Sequence, residues 1–264
     1  MSPLARRLAA ATPWTVVAER DVSYMRVADD RVLVVACDSH GGLGPKSHDA
    51  IAVEPAILGR FALRVPLLEL IATGATPRLV VDALAVERDP TGDAIIAGIR
   101  AEADAAGIDP AGITGSTEEN VATVATGLGV TVIGDAPLDR IRVGRSASGC
   151  VVFLLGRPMS APRDVFGPDE PGILTVEALR SALSVPGVVE ALPIGSAGVA
   201  TEFAALGKTV GCRVETTDDW PCEPDQSGGP STAALLTVLP DGAADTARRL
   251  ADIGLPLARL GSLQ

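Results

Sequence analysis

The sequence predicts a layered α/β fold of the α+β kind, built as two consecutive units. Three observations carry this. Strand-like and helix-like segments alternate along most of the 264 residues, a pattern that packs as helices on sheets. The core must come from Ala, Val, Leu and Ile, because hydrophobic residues make up 47% of the chain and aromatics only 3%. Between residues 134 and 149 the chain turns polar and loses its periodicity, which marks a boundary: residues 1–145 form the first unit and 146–264 a smaller α/β second one.

Taken in order, "MSPLARRLAAATPW" reads as a surface helix, its apolar run too short and interrupted for a secretory leader. "WTVVAE" and "RVLVVAC" (residues 14–19 and 31–37) are rich in β-branched residues and read as strands of one sheet. "VEPAILGRFALRVPLLELIATG" reads as a long helix, with Pro55 in its first turn, Gly74 as its stop and a kink expected at Pro66. "PRLVVDALAVERDP" is a strand. "TGDAIIAGIRAEADAAGI" is an amphipathic helix with Thr91 as cap and Gly107 as end. A short strand then leads into "TGSTEEN", and "TVATGLGVTVIG" is a further strand. The second unit reads as strand "CVVFLLG", a Pro-rich loop (158–171), helix "TVEALRSAL", strand "VVEALPI", helix "AGVATEFAAL", strand "TVGCRVET", strand "TAALLTVL" and helix "GAADTARRLADIG".

Charge narrows the partners. The balance of 22 basic against 33 acidic residues gives a formal charge of −11, which repels a nucleic-acid backbone in the absence of a basic patch. No apolar stretch is long enough to span a membrane. Cys37, Cys150, Cys212 and Cys222 form no metal-binding spacing, so reduced thiols and a cytoplasmic location are expected. A phosphorylated ligand would need divalent cations to screen it from this acidic protein.

Two loops carry the candidate chemistry. In "RVLVVACDSHGGLGPKSHD" (31–49), Pro45 stands before Lys46 and Ser47, where a phosphate loop needs a glycine N–H. A hard-cation site fits better: Asp38 follows an apolar strand, Asp49 lies past Gly41, Gly42 and Gly44, and Asp21 sits on an adjoining strand or turn. Each of these acids also reads as an ordinary turn cap. His40 and His48 flank Lys46, which is placed to meet a phosphate or simply to face water. In "GSTEENV", the residues Gly115, Ser116, Thr117, Glu118, Glu119 and Asn120 fit a capping box, yet the β-rich segment that follows argues for a loop at the sheet's edge. Asp82, in "VVDALAVE", joins this cluster or satisfies a neighbouring backbone group.

Together "VVACDSHGG", "ELIATGATPRLVVDALAVERDPTGDAIIAGIRAEADAAGI" and "GSTEENVATVATGLGVTVIG" resemble the amino-terminal half of the aminoimidazole ribonucleotide (AIR) synthetase superfamily. "LPIGSAGVATEFAALG" and "SGGPSTAALLTV" resemble its carboxy-terminal domain. The resemblance implies a two-domain AIR-synthase-like architecture whose amino-terminal mixed sheets join as a barrel in a homodimer, with ATP and Mg²⁺ as cofactors. It implies Asp21, Asp38, Asp49 and Glu118 as metal ligands. Asp38, Lys46 and Glu119 would be catalytic, and Gly41, Gly42, Gly44, Gly115, Ser116, Thr117 and Asn120 would meet the nucleotide. The thiamine-monophosphate kinases of this group carry an Asp where Ser116 stands and another near Glu69. Among the branches, the two loops look most like α-ribazole kinase, a small-molecule kinase of cobamide lower-ligand salvage. A thiamine-monophosphate kinase-like or AIR synthetase-like enzyme and a non-catalytic assembly factor are the alternatives. The loop around Trp220 is a candidate cover for an apolar acceptor.

Overall fold

A computed structural model describes all residues from 1 to 264. Its first sheet has six strands in the order β1-β2-β3-β8-β6-β7: β1 (Val16–Glu19), β2 (Val22–Ala28), β3 (Arg31–Gly41), β6 (Thr76–Leu84), β7 (Ile113–Thr117) and β8 (Gly127–Pro137). Only the β6–β7 pair is parallel, so the sheet is mixed. A small parallel pair, β4 (Leu43–Gly44) and β5 (Ile51–Ala52), lies in the glycine loop after β3. The second sheet is antiparallel in the order β10-β12-β9-β13-β11. It comprises β9 (Val151–Gly156), β10 (Val188–Pro193), β11 (Val214–Thr216), β12 (Ala233–Val238) and β13 (Leu257–Leu263).

Strand period explains the first sheet's two faces. Val32, Val34 and Ala36 of β3, Val130 and Val132 of β8, and Val80 and Leu84 of β6 are buried on one face. Their alternates Leu33, Val35, Val81 and Ile133 remain half-exposed on the other. Helix α2 (Pro55–Ala72) covers the buried face and also packs on β10, so it lies between the two sheets. Helix α3 (Asp93–Ala105) crosses α2 where glycine permits: a Cβ on Gly98 would stand 2.0 Å from the Ala56 carbonyl oxygen. One apolar core spans both units, joining Val34 and Leu67 to Leu155, Leu179 and Leu236.

Four elements differ from the sequence expectation. Residues 22–28 form β2, pairing with both β1 and β3; its polar Ser23 and Arg26 hide the strand pattern. Helix α1 (Pro3–Ala10) is capped by Ser2 and buries Leu4 and Leu8, so it is anchored and not purely superficial. Helix α5 (Val199–Val210) runs three residues past Gly207 and ends at Gly211 in the left-handed conformation, which shortens the next strand to β11. The last residues form β13, at whose broken register Gly261 leaves room for Glu215. Helix α6 (Ala243–Ala251) lies within its expected segment, and α4 (Val176–Ser184) runs one residue past its own.

Candidate functional site

Strand directions gather the candidate loops. Strands β3 and β6 both run antiparallel to β8, and β7 is parallel to β6. The carboxyl ends of β3, β6 and β7 therefore share one end of the sheet, the usual place for ligands in layered α/β folds. The β1–β2 turn comes to the same end, because Val22 pairs with Ala36, two residues before Asp38.

Here four carboxylates approach one another: Asp21 on the turn, Asp38 near the end of β3, Glu69 on α2 and Glu202 on α5. Burial, followed by the charges of Asp21, Asp38 and Glu202, pushes the Glu69 carboxyl up to about 8. Burial and the charge of Asp21 likewise raise Glu202. The Oε2 atom of Glu69 is buried without a hydrogen-bond partner. A cavity of about 40 Å³ lies among Asp21, Tyr24, Glu69 and Glu202, enough for an ion or water. His40 Nδ1 stands 3.7 Å from Asp38 Oδ2, beyond hydrogen-bond reach, and burial lowers its affinity for a proton against the pull of Asp38.

The residue types fit Mg²⁺, which takes one or two carboxylates and keeps water or phosphate oxygens in its other positions. The orphaned oxygen of Glu69 provides a hard donor. No three acidic, His or Cys side chains converge closely enough to enclose an ion unaided, so phosphate oxygens would have to complete the shell.

The remaining predicted residues stand apart from these four. The Asp49 carboxylate accepts hydrogen bonds from Lys46 N (2.8 Å), Thr126 N (2.6 Å) and Thr126 Oγ1 (2.7 Å). Burial raises its proton affinity, but these bonds outweigh that and hold it below the usual carboxylate range. Both oxygens are thus engaged in fixing the glycine loop to the segment before β8. At Gly44 a Cβ would come within 2.4 Å of Thr126 Oγ1, and its φ of 151° also disfavours a side chain. Lys46 Nζ reaches Glu87 Oε2 at 2.5 Å, and Glu87 Oε1 accepts from Thr91 Oγ1 at 2.5 Å.

The loop after β7 is tied to the same segment. Glu118 N donates to Val86 O, and Glu119 Oε1 accepts from Arg88 N (2.9 Å) and Thr117 Oγ1 (2.8 Å). Glu118 Oε1 accepts from Asn120 N and Val121 N, shaping its own turn. Residues Val86–Thr91 thus clasp both candidate loops.

A second cavity, about 160 Å³, opens beside Thr114, Gly115, Ser116 and Thr117. Asp82 reaches into it, 4% exposed, with Arg88 and Arg100 on the rim. Burial raises the Asp82 carboxyl against the pull of the two arginines. Asp82 leans over Gly115, where a Cβ would lie 2.0 Å from its Oδ1. Trp220 does not cover the cleft: it packs on Phe203 (centroids 6.2 Å apart) and donates Nε1–H to Leu260 O.

Sequence reasoning passed over Glu202 and Glu87, and reached Glu69 only through resemblance. A usable signal existed for Glu69, the lone charge in the apolar run Val65–Ala72. Glu202 gives no such cue, since an acid in a helix's first turn is ordinary dipole complementation.

The two sheets and the helices packed on them have the AIR-synthase-like fold. Residues 19–136 match the family described as "AIR synthase related protein, N-terminal domain". Among solved structures, the chain is similar to E. coli HypE, a hydrogenase maturation protein (16% identity, TM-score 0.67, covering 98% of this chain and 90% of that one). It is similar to thiamine-monophosphate kinase from Stenotrophomonas maltophilia K279a (18%, TM-score 0.64, covering 98% and 92%). It is also similar to AaThiL, solved complexed with AMPPCP and TMP (15%, TM-score 0.61, covering 92% and 84%). No curated protein matches the chain in sequence. No helix is long and apolar enough to cross a membrane.

Proposed function

We propose that this protein is an ATP-dependent kinase of a small molecule, with α-ribazole as its acceptor. The observation that carries the kinase reading is the Glu69 carboxylate, buried without a partner beside Asp21, Asp38 and Glu202. Such a cluster persists where cations offset its repulsion, and a triphosphate is the anion that brings them. The thiamine-monophosphate kinase and the AMPPCP-bound AaThiL support this nucleotide reading. The choice of α-ribazole rests on the resemblance of "CDSHGGLGPKSHD" and "GSTEENV" alone.

In this reading Asp21, Asp38 and Glu69 are the acids Mg²⁺ would draw on, one or two at a time with phosphate oxygens completing its shell, and its chemistry when bound is to neutralise charge on the phosphates. Gly41, Gly42, Gly44 and the Gly115–Thr117 backbone approach the nucleotide closely, with Ser116, Thr117 and Asn120 offering polar contacts. Lys46, held in place by Glu87, faces the transferring group. The acceptor hydroxyl oxygen attacks the γ-phosphorus, the bond from that phosphorus to the β-bridging oxygen breaks, and ADP leaves. The hydroxyl proton passes to Glu119, whose two accepted hydrogen bonds both fall on Oε1, leaving Oε2 to receive it. Asp49 and Glu118, first expected as ligands, serve here to shape their loops. A homodimer through the half-exposed sheet face, and a cytoplasmic location, complete the reading. The domain division stays at residue 145.

The test is incubation with Mg·ATP and α-ribazole, thiamine monophosphate or formylglycinamidine ribonucleotide, with products weighed by mass spectrometry. A phosphoester of α-ribazole is the expected product. Transfer to thiamine monophosphate, or phosphate release with a cyclised product, reassigns the acceptor. Asp38→Asn is expected to keep the fold and lower turnover about 10²-fold or more, equivalent to about 3 kcal/mol of transition-state stabilisation. Near-normal turnover would remove Asp38 from the site.

A further inference from the structure

The β1–β2 hairpin turns on two residues, Arg20 and Asp21, since Glu19 pairs with Val22. Arg20 has φ 55°. Hairpin turns place glycine, asparagine or aspartate at such positions, because a longer side chain there is strained by about 1–2 kcal/mol. An arginine in this conformation needs compensation, and its side chain supplies it.

Arg20 Nη2 donates to Glu190 Oε1 at 2.7 Å, and Nε donates to Thr209 Oγ1 at 3.3 Å. Glu190 belongs to β10 of the other unit and is 0% exposed. Its carboxylate also accepts from Gly144 N (2.9 Å), Ser146 N (3.2 Å) and Ser146 Oγ (2.7 Å), and Ser146 Oγ is hydrogen-bonded to Thr237 Oγ1 at 2.8 Å. The guanidinium is therefore plugged into a rigid, satisfied socket across the domain boundary. The next residue is Asp21, which lines the cavity with Glu69, Glu202 and the buried, unpartnered hydroxyl of Tyr24.

We propose that Arg20 is a positioning residue: it straps the Asp21 turn to Glu190 and so holds Asp21 toward Glu69 and Glu202 across the cavity. The inference rests on the reading of Asp21 and Glu69 as divalent-cation side chains. Giving up the Glu69 proton to a cation brings like charges together across the cavity, and a turn free to swing would move Asp21 away from them. The strap removes that freedom before any cation arrives, the same service that outer-shell partners give to metal ligands.

The test compares Arg20→Gly, Arg20→Lys and the unaltered full-length chain. Glycine suits φ 55°, so the turn survives without its anchor, and lysine restores the charge without the fork. Hydrogen exchange of residues 16–26, read without metal or nucleotide, reports the strap. Mn²⁺ titration in the presence of AMPPCP reports the positioning. In Arg20→Gly, exchange of residues 16–26 is expected to rise about tenfold or more beyond any rise in β8 and Mn²⁺ affinity to fall about 10- to 100-fold, with a lowered melting temperature because buried Glu190 loses its partner; Arg20→Lys recovers part of all three. Unchanged exchange overturns the strap, and raised exchange with unchanged Mn²⁺ affinity overturns the positioning role. Failure of the unaltered protein to take up Mn²⁺ instead refutes the cation reading of the cleft, and the exchange measurement then decides the strap alone.

Discussion

Arg64→Met should cost this protein more stability than any surface change. Arg64 is the largest fully buried side chain. Its Nε and Nη2 meet Glu102 Oε1 and Oε2 at 2.6 and 3.0 Å, and Nη1 donates to Pro168 O at 2.7 Å. Arg60 reaches Glu102 Oε2 at 3.1 Å and clamps Asp169 through two bonds of 2.6 and 2.9 Å. The chain of charges thus ties α2 and α3 to the Pro-rich loop of the second unit. Methionine keeps much of the volume but removes three donated bonds. Glu102, with its side chain 2% exposed, keeps only Arg60, and the Pro168 carbonyl keeps no partner from this set. Breaking a buried pair costs about 3–5 kcal/mol, and the surviving Arg60 contact argues for the lower end. At about 2–4 °C per kcal/mol for a protein of this size, melting should fall by about 6–12 °C. Differential scanning calorimetry checks it. Adding Glu102→Leu should recover most of the loss, because an apolar pair seldom does worse than the ion pair it replaces. A single variant that melts with the unaltered protein, or a double variant that melts below the single, refutes the argument.

Two loop predictions follow from the same reasoning. Hydrogen bonds from Lys46 and Thr91 hold the Glu87 carboxyl down to about 2. The folded value lies below the unfolded one, so this stabilisation is present above the unfolded value, near 4.5, and fades as pH falls toward 2. Because the Glu87 side chain is 32% exposed, screening limits the pair to about 1 kcal/mol. The melting difference between the unaltered protein and Glu87→Gln should shrink between pH 6 and pH 3, and a difference constant across that range counts against the ion pair. Asp49→Ala strips three hydrogen bonds from the glycine loop, for a loss of about 2 kcal/mol and faster amide exchange at Lys46 and Thr126. A stability change confined to metal-containing buffer would instead make Asp49 a ligand.

The fold was legible where periodicity was strong. Residues 31–41, 55–72, 93–105 and 127–137 carry clean alternation or helical spacing, and they became β3, α2, α3 and β8. What stayed hidden was decided by partners distant in sequence. Residues 22–28 are a strand because β1 and β3 flank them, not because their own pattern insists on it. At the site, Asp38 and the two loops could be singled out by residue type alone. The commitments of Lys46 to Glu87 and of Asp49 to Thr126 could not, since Thr126 lies 77 residues beyond Asp49 and nothing local points to it. Glu202 was invisible for the same reason: only the packing of the second unit on α2 brings an ordinary first-turn acid to the mouth of the cleft.

Asp38 and Asp82 show how register separates two residues that composition treats alike. Both end apolar strands, and both are aligned with Val130, one on each side of β8. They therefore project from the same face about 10 Å apart, two strand spacings of about 4.8 Å. One strand further, Asp82 meets Gly115, whose missing side chain gives it room to turn toward Arg88 and Arg100. Asp38 instead contributes to the field that raises Glu69, next to Asp21. A single sheet end thus presents an acid-rich region on the β2 side and a cationic rim on the β7 side, with Val130 between them. In the proposed kinase reading, metal-bound phosphates would belong with the acids, and the cavity beside Ser116 and Thr117 would be left to groups that tolerate two guanidinium ions and a carboxyl. The direction follows from which neighbour each aspartate has in the sheet, so it would invert if the two strands exchanged places.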